Sequence, residues 1–203
     1  MMHVIRPRPL QLLVLTAAVL SLASPAFAHS GTGLAGGFIS GFEHPLTGFD
    51  HLLAMVAVGL WGAFLGRPLI VALPVIFPTV MAFGAILGMR NVPMPPVEYG
   101  IAISVLVLGG AIAMAYKAPV WLACVMVAIF AVFHGYAHGA ELPSAADPVG
   151  YSVGFVLATG LLHVAGIAIG MMRNRKGGAL FTRGAGGLIA AAGVLFLYRA
   201  VMS

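Results

Sequence analysis

Acidic residues are scarce in this chain: five Asp and Glu stand against ten Lys and Arg in 203 residues, and 61% of the sequence is apolar. Soluble domains carry roughly a quarter charged residues, so a water-soluble enzyme is excluded. Basic residues interleaved with aromatics, the footprint of a nucleic-acid binder, are also missing, and the net charge of +5 comes from short basic loops. Nucleic acid is therefore not a partner. There is one cysteine, Cys124, inside an apolar stretch, which excludes an internal disulfide and a cysteine zinc site. A metal ion would have to be held by His, Asp, Glu or Met. No glycine-rich Walker loop occurs, so the chain does not hydrolyse ATP and is not read as an enzyme.

What is present is long hydrophobic runs. Arg6 and Arg8, the apolar stretch 10–22 and Ala26-Phe27-Ala28 have the order of a secretory signal peptide, expected over residues 1–28, with an uncleaved first helix as the rival reading. Cleavage would start the mature chain at His29 on the outer side. The remainder, 29–203, reads as a single transmembrane domain. Runs near 48–65, 68–89, 97–116, 119–138, 149–172 and 180–202 suffice to cross about 30 Å of hydrocarbon at roughly 20 residues each. They lack the alternation of barrel strands, so the expected fold is all-α, a polytopic bundle of about six transmembrane helices. Residues 31–43 are too short and glycine-rich to span and suggest a half-helix or re-entrant piece. Arg67, Lys117, Arg173, Arg175, Lys176 and Arg183 fall in or near alternate loops, with Arg90 and Arg199 opposite. The positive-inside rule then turns both mature termini outward. Glycine pairs at four-residue spacing, such as 62/66, 84/88, 150/154 and 166/170, point to close helix approach. Pro74 and Pro78 cannot donate to the carbonyls of Ile70 and Pro74, so the second run should bend.

The ionisable residues carry the chemistry. The first run opens His44-Pro45-Leu46-Thr47-Gly48-Phe49-Asp50-His51. With Pro45 in a first helical turn, His44 and His51 would fall on nearly one face, about 10 Å apart in height, with Met55 one turn below His51. Asp50 lies off that stripe, where it would ligate, pair with another helix or orient an imidazole. The fourth run ends with His134, His138 and Glu141 at offsets of four and three, one face of a helix. Glu98 opens the third run at the same outer level. Each alone has a bland reading as a packing or helix-terminal residue, but of the five histidines beyond residue 29, four fall in these two segments. Imidazole nitrogen with carboxylate oxygen suits borderline divalent ions such as Ni, Co or Zn. His29 would add an α-amine and an imidazole as a capture ligand. His163 lies about 22 Å down the fifth run, either as a second station on an inward route or as an interhelical hydrogen bond, the latter being favoured.

The segment His44-Pro45 with Gly48 and Asp50-His51, the following Met55 and Val58-Gly59, and the stretch from His134 to Pro143 resemble the HupE/UreJ family of nickel permeases, across essentially the whole mature chain. The resemblance implies uptake of nickel or cobalt across the inner membrane to supply hydrogenase or urease, the ion being cargo rather than a resident cofactor. It implies roles for His44, Asp50, His51, Glu98, His138 and Glu141; His134 is supported mainly by the helical stripe. The histidine-rich stretch that some relatives carry after the leader is here reduced to His29. Two other uses of the same residues stay open: a zinc hydrolase, which lacks a His-Glu-x-x-His pattern, and a metal-delivery or sensing subunit without flux.

Overall fold

The computed structural model describes residues 34–140, 142 and 147–203. The leader expected over 1–28, His29 and Glu141 lie outside the described residues. Among those described, the chain is all helical: α1 Leu34–Thr47, α2 Phe49–Leu65, α3 Leu69–Met89, α4 Val97–Ala113, α5 Val120–Ala140, α6 Pro148–Met171 and α7 Gly178–Met202, with a short 3-10 turn Met172–Asn174 before α7. The helices α3, α5, α6 (extended through Asn174) and α7 are each long and apolar enough to cross a membrane. The bent pair α1–α2 is apolar enough when taken together to form a broken span or a re-entrant loop, and α4 is a shorter apolar helix. Large apolar side chains, including Val71, Val75 and Phe83 of α3 and Leu157, Leu161 and Val164 of α6, face outward. A helix apolar on all sides has its outer face in lipid, so this is a multi-pass membrane protein.

The sequence between α1 and α2 folds differently from a helix begun at Pro45. Pro45 lies inside α1, and the break falls at Gly48, whose extended backbone (φ −81°, ψ 101°) caps α2. Pro45 removes one helical donor, and Gly48 is a poor helix residue. The two helices meet at 79°. The half-helix expected over 31–43 is thus α1, extended through His44 to Thr47.

The helices pack in pairs: α3 on α5, α4 on α7, and both α1 and α2 along α6. Backbones approach closely at glycine. A Cβ on Gly84 would collide with the Val132 carbonyl, one on Gly135 with the Met81 carbonyl and one on Gly139 with the Ala85 carbonyl, so α3 and α5 lock together directly beside His134 and His138. Likewise Gly59 of α2 abuts the backbone of His163, and Gly166 the backbone of Val56. Gly66 does not pack as the 62/66 pair suggested: it has φ +82° and open space around it, and serves the turn into α3. Gly135→Val should force α3 from α5, at about 1–3 kcal/mol for overpacking. A melting temperature lowered by several degrees in detergent is expected, whereas Gly110→Ala, with no neighbour within 4 Å, should leave it unchanged.

At one end of the bundle basic side chains close helix C-termini. Arg173 donates to the Phe64 carbonyl at 2.8 Å and its guanidinium lies 4.4 Å over the Phe64 ring. Arg183 donates to the Ala113 carbonyl at 2.9 Å. Cations there complement the helix dipole. His51, at the start of α2, and His134 and His138, in the last turns of α5, lie toward the other end.

Candidate metal-ion site

Three elements bring four imidazoles together. The break at Gly48 folds His44 of α1 back toward His51 of α2, so the two ring centroids are 6.3 Å apart instead of stacked along one helical face. From α5, His138 stands at the centre, 4.8 Å from His44 and 4.5 Å from His51. His134, one turn further along, is 4.9 Å from His51. Aromatic rings of α6 wall the cluster, Phe155 at 4.3 Å from His138 and Tyr151 at 6.0 Å from His44. On the far side Phe77 of α3 lies 5.4 Å from His134.

Hydrogen bonds decide which nitrogens are free. The Asp50 carboxylate accepts from Nδ1 of His51 at 2.7 Å and from its backbone N–H at 2.8 Å. Of the three roles expected for Asp50, the one seen is orientation of a neighbouring imidazole: Nδ1 faces the carboxylate, which leaves Nε2 as the nitrogen open to a ligand. Ser104 of α4 does the same for His134. Its hydroxyl donates its single proton to the Ile101 carbonyl at 2.7 Å, so in the 3.0 Å contact with His134 Nε2 it must accept. His134 therefore holds its proton on Nε2 and presents Nδ1 as a bare acceptor. The two free nitrogens, His51 Nε2 and His134 Nδ1, are buried without a hydrogen-bond partner, as are both nitrogens of His138.

Among the described residues the buried unpartnered polar side-chain atoms are seven: these four, both nitrogens of His163 and Oγ1 of Thr159. Leaving such an atom unmade costs about 1–3 kcal/mol, and all of them belong to five residues of one interior region. This concentration of unpartnered polar atoms makes the region the candidate binding site.

A metal–nitrogen bond of about 2.1 Å would set two imidazole centroids sharing an ion roughly 4.5–6.5 Å apart, depending on the angle at the metal. The ring separations fall in that window. The donor atoms themselves do not yet converge: among the described residues no three His, Cys, Asp or Glu side chains form a ready cage, and the rings stand edge to face.

Other predicted residues stand apart. Glu98 is exposed in the first turn of α4, and the polar group α4 contributes to the cluster is Ser104. Met55 is fully buried in the core below His51. Ser104, Tyr151, Phe155 and Phe77 were not singled out in the sequence. A serine and three aromatics among apolar helix residues carry no signal until the helices are packed.

The sequence pattern of one family, described as HupE / UreJ protein, matches residues 17–196. The chain belongs to the HupE / UreJ family. Within that family it is 43% identical over 184 residues to Protein HupE of Rhizobium leguminosarum bv. viciae, an alignment covering 90% of this chain and 96% of the relative. No solved structure matches. The matched span of this HupE / UreJ protein includes every residue of the histidine cluster.

Proposed function

We propose that this HupE / UreJ protein is a secondary permease, not an enzyme, that takes up nickel, with cobalt as the second ion, across the inner membrane to supply hydrogenase or urease. The observation that carries the reading is the cluster of four imidazoles, in which His51, His134 and His138 have buried ring nitrogens without a hydrogen-bond partner. Imidazole nitrogen donors with one carboxylate suit a borderline divalent ion. His44, His51, His134 and His138 bind the ion, and Asp50 orients His51 and offsets part of the charge. Glu98, Glu141 and His29 belong to the approach from outside, where acidic and imidazole groups would collect the ion before the cluster.

The cluster lies toward the outer, periplasmic side, with both mature termini facing that side. The basic groups that close α2 and α4 at the opposite end support this orientation through the positive-inside rule. Entry of a divalent ion is then driven by the membrane potential, about 4.6 kcal/mol for two charges per 100 mV. The test is flux of radioactive nickel into liposomes containing the purified protein. Uptake should rise with an imposed inside-negative potential and be competed by cobalt. Binding of nickel with no entry at any potential would reduce the protein to a metal-holding subunit.

A further inference from the structure

The contact of α4 with the histidine cluster is built from neighbouring residues on one face. Gly100 carries no side chain, and a Cβ there would collide with the Phe133 ring of α5, so α4 leans onto α5 at the residue before His134. One helical turn further along α4, Ser104 meets the His134 ring. Both side chains are sealed from solvent, each at 0% exposure.

The polar atoms run in one direction. His134 Nε2–H donates to the Ser104 hydroxyl at 3.0 Å, and that hydroxyl donates in turn to the Ile101 carbonyl at 2.7 Å. Hydrogen bonds aligned in this way polarise one another. Ser104 does not need the histidine to be satisfied, because a helical serine meets its need on a carbonyl one turn back, as the bond to Ile101 shows. Nor does the contact make His134 a good packing residue: its Nδ1 stays buried without a partner, at about 1–3 kcal/mol. A leucine at position 134 would carry no such cost. What the contact does achieve is to fix which nitrogen of the ring is open.

We infer that Ser104 is a positioning residue of the ion site: by holding the proton of His134 on Nε2 it makes that ring bind a divalent ion through Nδ1. This is the reverse of His51, where the Asp50 carboxylate takes Nδ1 and leaves Nε2 open. The inference rests on the permease reading above and adds α4 to the site through a group that does not itself touch the ion. A metal-bound histidine generally donates its other ring N–H to a partner that fixes the tautomer and raises the basicity of the ligand. Behind His51 that partner is a carboxylate; behind His134 it is a neutral hydroxyl. Nδ1 adjoins the ring carbon that carries Cβ, whereas Nε2 lies at the far edge of the ring, so an ion on Nδ1 of His134 lies close to the α5 backbone. With the two ring centroids 4.9 Å apart, α2 reaches the ion with a far nitrogen and α5 meets it with a near one.

The experiment uses the full-length protein, labelled with 15N-histidine and reconstituted in lipid bilayers. Nitrogen solid-state NMR reads the tautomer of His134, whose signals are those missing from His134→Leu, and Zn2+ serves as a diamagnetic probe of the nitrogen that coordinates. Ni2+ affinity is measured alongside by equilibrium dialysis. In wild type, His134 should be the Nε2–H tautomer, and its Nδ1 signal should move when Zn2+ is added. Ser104→Ala, recovered folded by gel filtration, should lose the single tautomer and bind Ni2+ about tenfold more weakly or worse; should it fail to fold, the wild-type spectra decide the question alone. The positioning role is overturned if wild-type His134 is protonated on Nδ1, if Zn2+ binds through its Nε2 or moves neither nitrogen, or if Ser104→Ala keeps the wild-type tautomer or affinity. In each of these cases Ni2+ binding by wild type leaves the ion site standing. Wild-type protein that binds no Ni2+ overturns the site and the role of Ser104 together.

Discussion

His138→Leu is expected to abolish nickel uptake while leaving the protein as stable as wild type or more so. His138 is 5% exposed, touches His44, His51 and Phe155 and makes no hydrogen bond through either nitrogen. Replacing it with leucine therefore breaks no polar contact in the resting fold. It removes two buried unpartnered nitrogens, each costing about 1–3 kcal/mol, and fills the space with an apolar group that packs on Phe155. A residue kept for packing would show the opposite behaviour. Loss of even an outer partner of a metal ligand costs about 10–100-fold in affinity, so loss of the central ligand should bring uptake near background. The check is paired: radioactive nickel uptake in cells at equal membrane protein level, and the melting temperature of purified protein without metal. Retained uptake would remove His138 from the site, and a melting temperature several degrees lower would make it a structural residue.

The second large effect belongs to Asp50. Asp50→Ala should weaken nickel binding by about 10–100-fold, the range for losing the carboxylate behind a ligating histidine. The carboxylate accepts from Nδ1 of His51 at 2.7 Å and so leaves Nε2 as the nitrogen open to a ligand. Without it the ring is free to take the other tautomer or turn away, and the site also loses its negative charge. Asp50→Asn separates the two contributions: the amide oxygen can still accept from Nδ1, so orientation is largely kept and charge is lost. The Asp50→Asn protein is expected to have an affinity between those of wild type and Asp50→Ala, measured by Co2+ titration of its visible spectrum. Equal affinities for wild type and Asp50→Ala would show that the carboxylate acts on neither orientation nor charge.

Much of this was legible from residue order. Hydrophobic runs report membrane helices because lipid leaves no other partner for the backbone, and α2 to α7 lie on the six runs within a few residues at most ends. The spacing of His134 and His138 reports one helical face directly, since helical periodicity is local. A continuous helix running on from Pro45 through His51 is the expectation that failed. The proline sits late in α1 and the extended Gly48 ends the helix, so His44 and His51 meet across a bend. Glu98 and Asp50 were equivalent by composition, both acids near a helix start. What separates them in the structure is that Asp50 turns its carboxylate onto the adjacent His51, whereas Glu98 is exposed.

The sequence by itself determined the solvent, the helices and the residue types able to hold a divalent ion, because these follow from hydropathy, period and side-chain chemistry along the chain. The tertiary structure decided which imidazoles share a space and, through Ser104, which nitrogen of His134 carries the proton. Those outcomes depend on contacts between helices distant in sequence, such as Ser104 meeting His134, and no local pattern encodes a distance across a bundle.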